Sequence, residues 1–373
     1  CRLTSWKARI PRHKILRPNT RAVCSIKGPV DFEDGSEHAL GPSLFSKVVS
    51  AYPRQPNKEH RDGFPICDCF SVHCFPNTAI VTVTDGCNWG EKPKRSSWVA
   101  NKAFAQYVME RVPNFVDTEG LSSVMLKGLF AAQREVLTTQ DDVFDCGCTT
   151  ILGNVIYEYD QLSPRGSANN SNGAERRWGM LCLNVGDCKA YVYRAAADTV
   201  EEITAGNREV HCDPCDPGGR LGPYTDSAGP DLRNLNMYGV EGLREGDLAI
   251  FMSDGVHDNL DPQTMGKTAA DCGVEVFASW NEAPLSFSAG VKQHFTEELL
   301  ASVIRAASPP LAAAVCTRLV DHALEVTRAG RDFMAANSHA KQPRNMVGKM
   351  DHITCVVLRV GGAMTDGVDG CSG

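Results

Sequence analysis

Val81–Gly90 reads VTVTDGCNWG. The run Ala79 to Thr84 is rich in apolar and β-branched residues and free of Gly and Pro, which predicts a buried strand. It stops at Asp85-Gly86. A carboxylate at the mouth of a strand, followed by a residue without a Cβ, lets the backbone turn sharply and leaves a carbonyl exposed beside the acid. A hard divalent cation favours that pair of oxygens, although Asp-Gly turns are also common with no metal.

Composition bounds what this strand can belong to. The 373 residues suffice for one large domain or two smaller ones. A net charge of −7 argues against general nucleic-acid binding. No apolar run approaches the roughly 18–20 residues of a membrane span. The 16 Cys sit at irregular spacings, some inside apolar runs (Cys182, Cys355). They read as reduced, buried thiols of an intracellular, cytoplasmic protein, not as a disulfide scaffold. A monomer is expected. Residues 1–28 carry eight Lys or Arg and no acid. This reads first as a solvated lead-in and second as a targeting segment, which would place the protein in mitochondria.

Outward from Asp85, further elements follow. Cys67–Val72 predicts a strand with Asp68 near its start. Ser96–Val112 predicts a helix, and Asp117 or Thr118 caps a second with a stripe from Leu121 to Val136. Cys146–Tyr159, Trp178–Val185 and Ala190–Arg194 are strands, the last two expected as a hairpin around Gly186-Asp187, with Asp187 a turn-former. Asp247–Ser253 is another buried strand ending in Asp-Gly, at Asp254-Gly255. Residues 261–345 are mainly helical, with Thr296 capping one helix and Ser308-Pro309 starting another. Ile353–Val360 is the last strand, with Asp351 just before it. The expected organisation is a basic lead-in and surface segment over 1–55, one domain over 56–361 and a Gly-rich tail over 362–373. Strands grouped before and between helix pairs fit a layered α+β sandwich.

Asp85 and Asp254 follow buried strands, and Asp351 precedes one. If those strands are neighbours, three carboxylates meet at one rim, and such a group needs a cation. Oxygen ligands without His or Cys at ligand spacing select Mg²⁺ or Mn²⁺. His211 with Cys212 and Cys215 could form half a zinc site, but no second pair stands at useful spacing.

Five stretches in order resemble the metal-dependent, type 2C protein serine/threonine phosphatases: Val83–Gly90, CGCTT at 146–150, NVGDCKAYVY at 184–193, IFMSDGVHDNL at 250–260 and DHITCVVL at 351–358. The resemblance covers roughly residues 60–360. It implies a four-layer α-β-β-α sandwich of two antiparallel sheets flanked by helix pairs. It also implies a two-metal centre bridged by Asp85. Asp254 and Asp351 would hold one ion and the Gly86 carbonyl would help hold the other. Asp258 would help bind a third, weaker ion, with Asp145 as its first-choice partner and Asp142 as the second. Two such ions lower the pKa of a bridging water and clamp the phosphoryl oxygens, so no covalent intermediate is needed.

The chain departs from the family at several points. Cys87 stands where members often have a proton-donating His, and a neutral thiol is a poor donor. The upstream Arg-x-x-x-Glu-Asp pattern is absent. Asp68 fits its second acid, with Asp62 as the competing choice, and Arg61 is the nearest candidate for a phosphate-binding guanidinium. His352 replaces the usual Asn. The resemblance implies a phosphatase acting on phosphoserine or phosphothreonine of a phosphoprotein. The main alternative is a pseudophosphatase scaffold, and a small-molecule phosphatase is a third reading. The polar segment 335–349, with Lys341, Arg344 and Lys349, is expected to overhang the metal rim and attract acidic phosphopeptides.

Overall fold

The computed structural model describes residues 10–19, 22–55, 58–159, 177–208, 218–223, 235–277, 279–337, 342–343 and 346–361. Strand β5 (Thr78–Thr84) is buried along its whole length and pairs antiparallel with β4 (Cys69–Phe75) and β6 (Ile151–Tyr159). β1 (Cys24–Gly28), β7 (Arg177–Val185) and β10 (Asn236–Leu243) complete the first sheet, in the order β1-β4-β5-β6-β7-β10. The second sheet runs β2 (Ser36–Leu40), β3 (Leu44–Ser50), β12 (His352–Arg359), β11 (Leu248–Met252), β8 (Lys189–Arg194) and β9 (Thr199–Glu202). Every pairing is antiparallel.

Alternation of side chains across each strand builds two sandwiching faces. Val81 and Val83 of β5 meet Val356 and Leu358 of β12 between the sheets. Ile80 points the other way, into a cluster with Phe104 of α1 (Glu91–Met109) and Met125 of α2 (Thr118–Leu137). On the far side, Ile353, Cys355 and Val357 of β12 pack against Leu300 of α4 (Leu285–Ala306) and Leu319 of α5 (Ala312–Val326). The short α3 (Asp254–His257) follows β11, and α6 (Arg328–Ala336) follows α5. The result is an α+β sandwich of two antiparallel sheets with helices outside both. Asp117 caps α2, its carboxylate accepting from the Gly120 N–H at 2.7 Å.

Several local expectations are corrected. The latter part of 1–55, expected as a surface segment, contains β2 and β3, and β3 sits between β2 and β12. Its strand signal was confined to Leu44–Val49 among Gly and Pro. β7 and β8 are not a hairpin but lie in different sheets, and Gly186-Asp187 turns the corner between them. Both strands are buried on both faces, so their pattern cannot tell a hairpin from an inter-sheet corner. Thr296 lies inside α4, its hydroxyl donating to the Leu260 carbonyl at 3.3 Å, because the helix begins earlier, behind Pro284. Ser308-Pro309 lies in the turn before α5. His211, Cys212 and Cys215 lie outside the described residues. Among the described residues the cysteines are free, and no helix is long and apolar enough to cross a membrane.

Candidate functional site

β5 delivers Asp85 to one end of the first sheet. The Asp85 carbonyl accepts from the Thr150 N–H at 2.8 Å and the Thr149 hydroxyl at 2.9 Å, and the Asp85 N–H donates to Thr150 Oγ1 at 3.1 Å. The CGCTT stretch thus clamps the Asp-Gly turn from the neighbouring strand. A Cβ on Gly86 would stand 2.7 Å from the Pro93 carbonyl oxygen, so no larger residue fits this turn.

In the second sheet β11 and β12 are antiparallel neighbours, with Met252 opposite Cys355. Asp254, just after β11, and Asp351, just before β12, therefore fall at the same end. A Cβ on Gly255 would meet the His352 carbonyl oxygen at 1.9 Å, which keeps this junction open only to glycine. Asp68 reaches the same region from the first sheet. Its Oδ2 accepts from Thr354 Oγ1 at 2.7 Å, and its buried Oδ1 has no hydrogen-bond partner. Asp85, Gly86, Cys87, Asp187, Asp254 and Asp351 line one cleft of about 470 Å³, together with Lys349 and Arg220.

The electrostatics divide this cleft in two. On one side the Lys349 ammonium forms ion pairs with Asp254, with Asp258 at 3.0 Å and with Asp351 at 3.4 Å. Behind it the Arg208 guanidinium holds Asp258 at 2.7 Å and Asp187 at 3.0 Å, and all three side chains are buried. At an effective dielectric near 20, each such pair at 4 Å contributes on the order of 4 kcal/mol, against several kcal/mol of desolvation per buried ion. Burial pushes the Asp258 carboxyl up, but Arg208 and Lys349 more than offset it and hold Asp258 well below the usual carboxylate range. Asp254 is likewise held low: burial raises it and Lys349 outweighs that. Loss of solvent around the half-buried Asp351, then repulsion from Asp254, pushes its carboxyl well up despite Lys349.

On the other side, Asp85 and Asp68 form no ion pair among the described residues. Burial, then repulsion from Asp68, pushes the Asp85 carboxyl well up. Burial pushes Asp68 up to about 7. Burial thus favours the protonated form of these two acids, whereas Asp254 and Asp258 face built-in cations that favour the ionised form.

Lys349 occupies the position a metal ion would need between Asp254, Asp258 and Asp351. As arranged, these residues do not fit a divalent cation. With the ammonium in place, no three His, Cys, Asp or Glu side chains among the described residues are grouped so as to hold a metal.

Other candidates stand elsewhere. Arg61 is paired with Asp34 at 2.8 Å and donates to the Tyr52 carbonyl at 3.2 Å, outside the cleft lining. Asp62 pairs with Lys58 at 2.5 Å. Asp145 is exposed and pairs with Lys92 at 2.8 Å, while Asp142 caps its own short turn, accepting from the Phe144 N–H at 2.9 Å. The structure does not bring Asp145 to Asp258. Cys87 lines the cleft with its thiol pushed well up by burial, then by Cys148 and Asp187. Lys341 and Arg344 lie outside the described residues, whereas Lys349 turns into the cleft floor.

Arg208, Asp187 and the inward role of Lys349 escaped the sequence reading. Asp187 looked like a turn residue, yet it is only 5% exposed and ion-paired. The one signal on offer was GKMD at 348–351, a cation two residues before an acid of the rim.

No protein-family model matches the chain. It is 26% identical over 225 residues to the PP2C-like domain-containing protein CG9801 of Drosophila melanogaster, a match covering 59% of this chain and 29% of that protein. The chain thus spans under a third of the length of this curated relative. Among solved structures, it is similar to the serine/threonine phosphatase PstP/Ppp of Mycobacterium tuberculosis, with a TM-score of 0.44, 14% identity and coverage of 85% of this chain and 98% of that one. It is also similar to a phosphatase of Toxoplasma gondii, with a TM-score of 0.46, 12% identity and coverage of 85% and 92%. This curated relative is named for a PP2C-like domain, the type 2C phosphatase family that the five ordered stretches resemble.

Proposed function

We propose that the chain carries a type 2C phosphatase-like domain that serves as a protein-binding scaffold and supports little or no metal-assisted hydrolysis of phosphoserine or phosphothreonine. The observation that supports this is Lys349, whose ammonium is paired with Asp254, Asp258 and Asp351. A carboxylate group kept without metal costs stability unless something else neutralises it. Here Lys349 and Arg208 do so, and the acids remain as a structural ion network.

The test is phosphate release from phosphoserine and phosphothreonine peptides with millimolar Mn²⁺ or with chelator. The expected rates are equal and at background. Mn²⁺-dependent release that Asp85→Asn removes would instead establish a phosphatase using two Mg²⁺ or Mn²⁺ ions. One observation favours that second reading: Asp68 is buried and Asp85 half-buried, with no cation paired to either among the described residues. It requires Lys349 to withdraw.

A further inference from the structure

Lys349 is held in place by its backbone, not only by the acids it faces. The Gly348 N–H donates to the Thr264 carbonyl at 2.8 Å. The Lys349 N–H donates to Asn259 Oδ1 at 2.9 Å, and Asn259 Nδ2 donates back to the Lys349 carbonyl at 2.9 Å. The same Nδ2 donates to the Gly255 carbonyl at 2.8 Å, and Asn259 is fully buried. Two residues on, the Asp351 carbonyl accepts from the Ala51 N–H at 2.9 Å. Gly348 has φ +85°, and a Cβ there would meet the Val326 carbonyl oxygen at 2.7 Å, so the turn that aims Lys349 has one conformation. One buried amide therefore ties the backbone of the cation to the residue after Asp254.

The acids around the ammonium are hard oxygen donors, and Asp254 Oδ1 is buried with no hydrogen-bond partner. That oxygen is a coordination position the ammonium does not fill. We infer that Lys349 is the resident cation of this centre: it takes the place of a divalent ion, and its removal turns Asp254, Asp258 and Asp351 into a Mg²⁺ or Mn²⁺ site. This rests on the scaffold reading above and assigns its cause to one side chain. The rest of the clamp stays when the ammonium goes, because Asn259 holds backbone atoms only.

The test is Mn²⁺ binding, followed by loss of the free-ion electron paramagnetic resonance signal, for the wild type, Lys349→Gln and Lys349→Met. Both variants should bind about thirtyfold more tightly than the wild type or better, as removal of one positive charge from within ion-pair distance implies. Asp351→Asn added to Lys349→Gln should return binding to the wild-type level. Equal Mn²⁺ binding by the wild type and both variants overturns the inference, as does undiminished binding by the double variant. If the variants unfold without metal, Mn²⁺ must raise their thermal midpoints and leave that of the wild type unchanged, and absence of that rescue also overturns it. Phosphopeptide turnover measured beside binding separates the two claims. Turnover by the wild type with tighter binding by the variants defeats the scaffold reading alone. A silent wild type with no gain in the variants defeats the Lys349 assignment alone.

Discussion

The Asp254–Asp258 side of the cleft and the Asp68–Asp85 side face the same problem with different chemistry. Each places two carboxyl groups in largely desolvated surroundings, Asp68, Asp85 and Asp254 beside strand ends and Asp258 in the short turn after α3. The first pair meets two cations, Lys349 and Arg208, which hold both carboxyls below their usual range. The second pair meets none among the described residues, and both acids are driven toward the protonated form by burial. The difference shows that an acidic rim is not by itself a metal centre. What decides is whether the fold also brings in a cation of its own, and from where. Here one cation comes from the residue three before β12 and the other from the loop after β9.

The comparison breaks most severely at Arg208. Replacing it with Met leaves Asp258 and Asp187 buried without their guanidinium, and should cost about 3–5 kcal/mol in urea unfolding. A loss below about 1 kcal/mol would mean that the two acids are not held as ions.

An intermediate effect is expected where the two sides are joined. His352 follows Asp351 in the chain and its imidazole meets the residue before Asp68: its Nε2 is 3.0 Å from the Gly63 carbonyl, and its Nδ1 accepts from the Cys67 N–H at 3.3 Å. His352→Ala leaves that N–H and carbonyl buried and unpaired, at about 1–3 kcal/mol. His352→Gln should recover part of the loss in the same thermal melts, since an amide can still serve one of the two groups. Equal losses in both variants would assign the effect to packing beside Tyr52 instead.

The smallest effect should be at Asp85. Burial, then Asp68, pushes its carboxyl well up toward the protonated form, and an amide of the same shape carries no charge. Asp85→Asn should change the stability of the metal-free protein by less than about 1 kcal/mol near neutral pH. A cost as large as that of Arg208→Met would show that Asp85 is ionised and paired, and would erase the contrast between the two sides.

The parts of the fold that were legible are those written in local chemistry. β5, β11 and β12 announce themselves as apolar runs, and the Asp-Gly ends of β5 and β11 mark where those strands stop. The cap at Asp117 follows from a short side chain before a helical stripe. β2 and β3 were not legible, because short strands among Gly and Pro owe their order to the strand they join, β12. The corner at Gly186-Asp187 was misread for a related reason. Strands buried on both faces carry no alternation to say which sheet each belongs to.

By itself the sequence determined that Asp85, Asp254 and Asp351 sit at strand ends, since each lies where an apolar run starts or stops and such a run pairs at its full length. It also determined the five ordered stretches that resemble the type 2C phosphatases. Only the tertiary structure decided what neutralises the acids. Asp258 and Arg208 lie 50 positions apart, and Lys349 and Asp254 lie 95 apart. Charge pairs so far apart follow no helical or strand period. They form because Asn259 and the turn at Gly348 carry one backbone segment to another, and no local pattern in GKMD says whether its lysine points to solvent or into the rim.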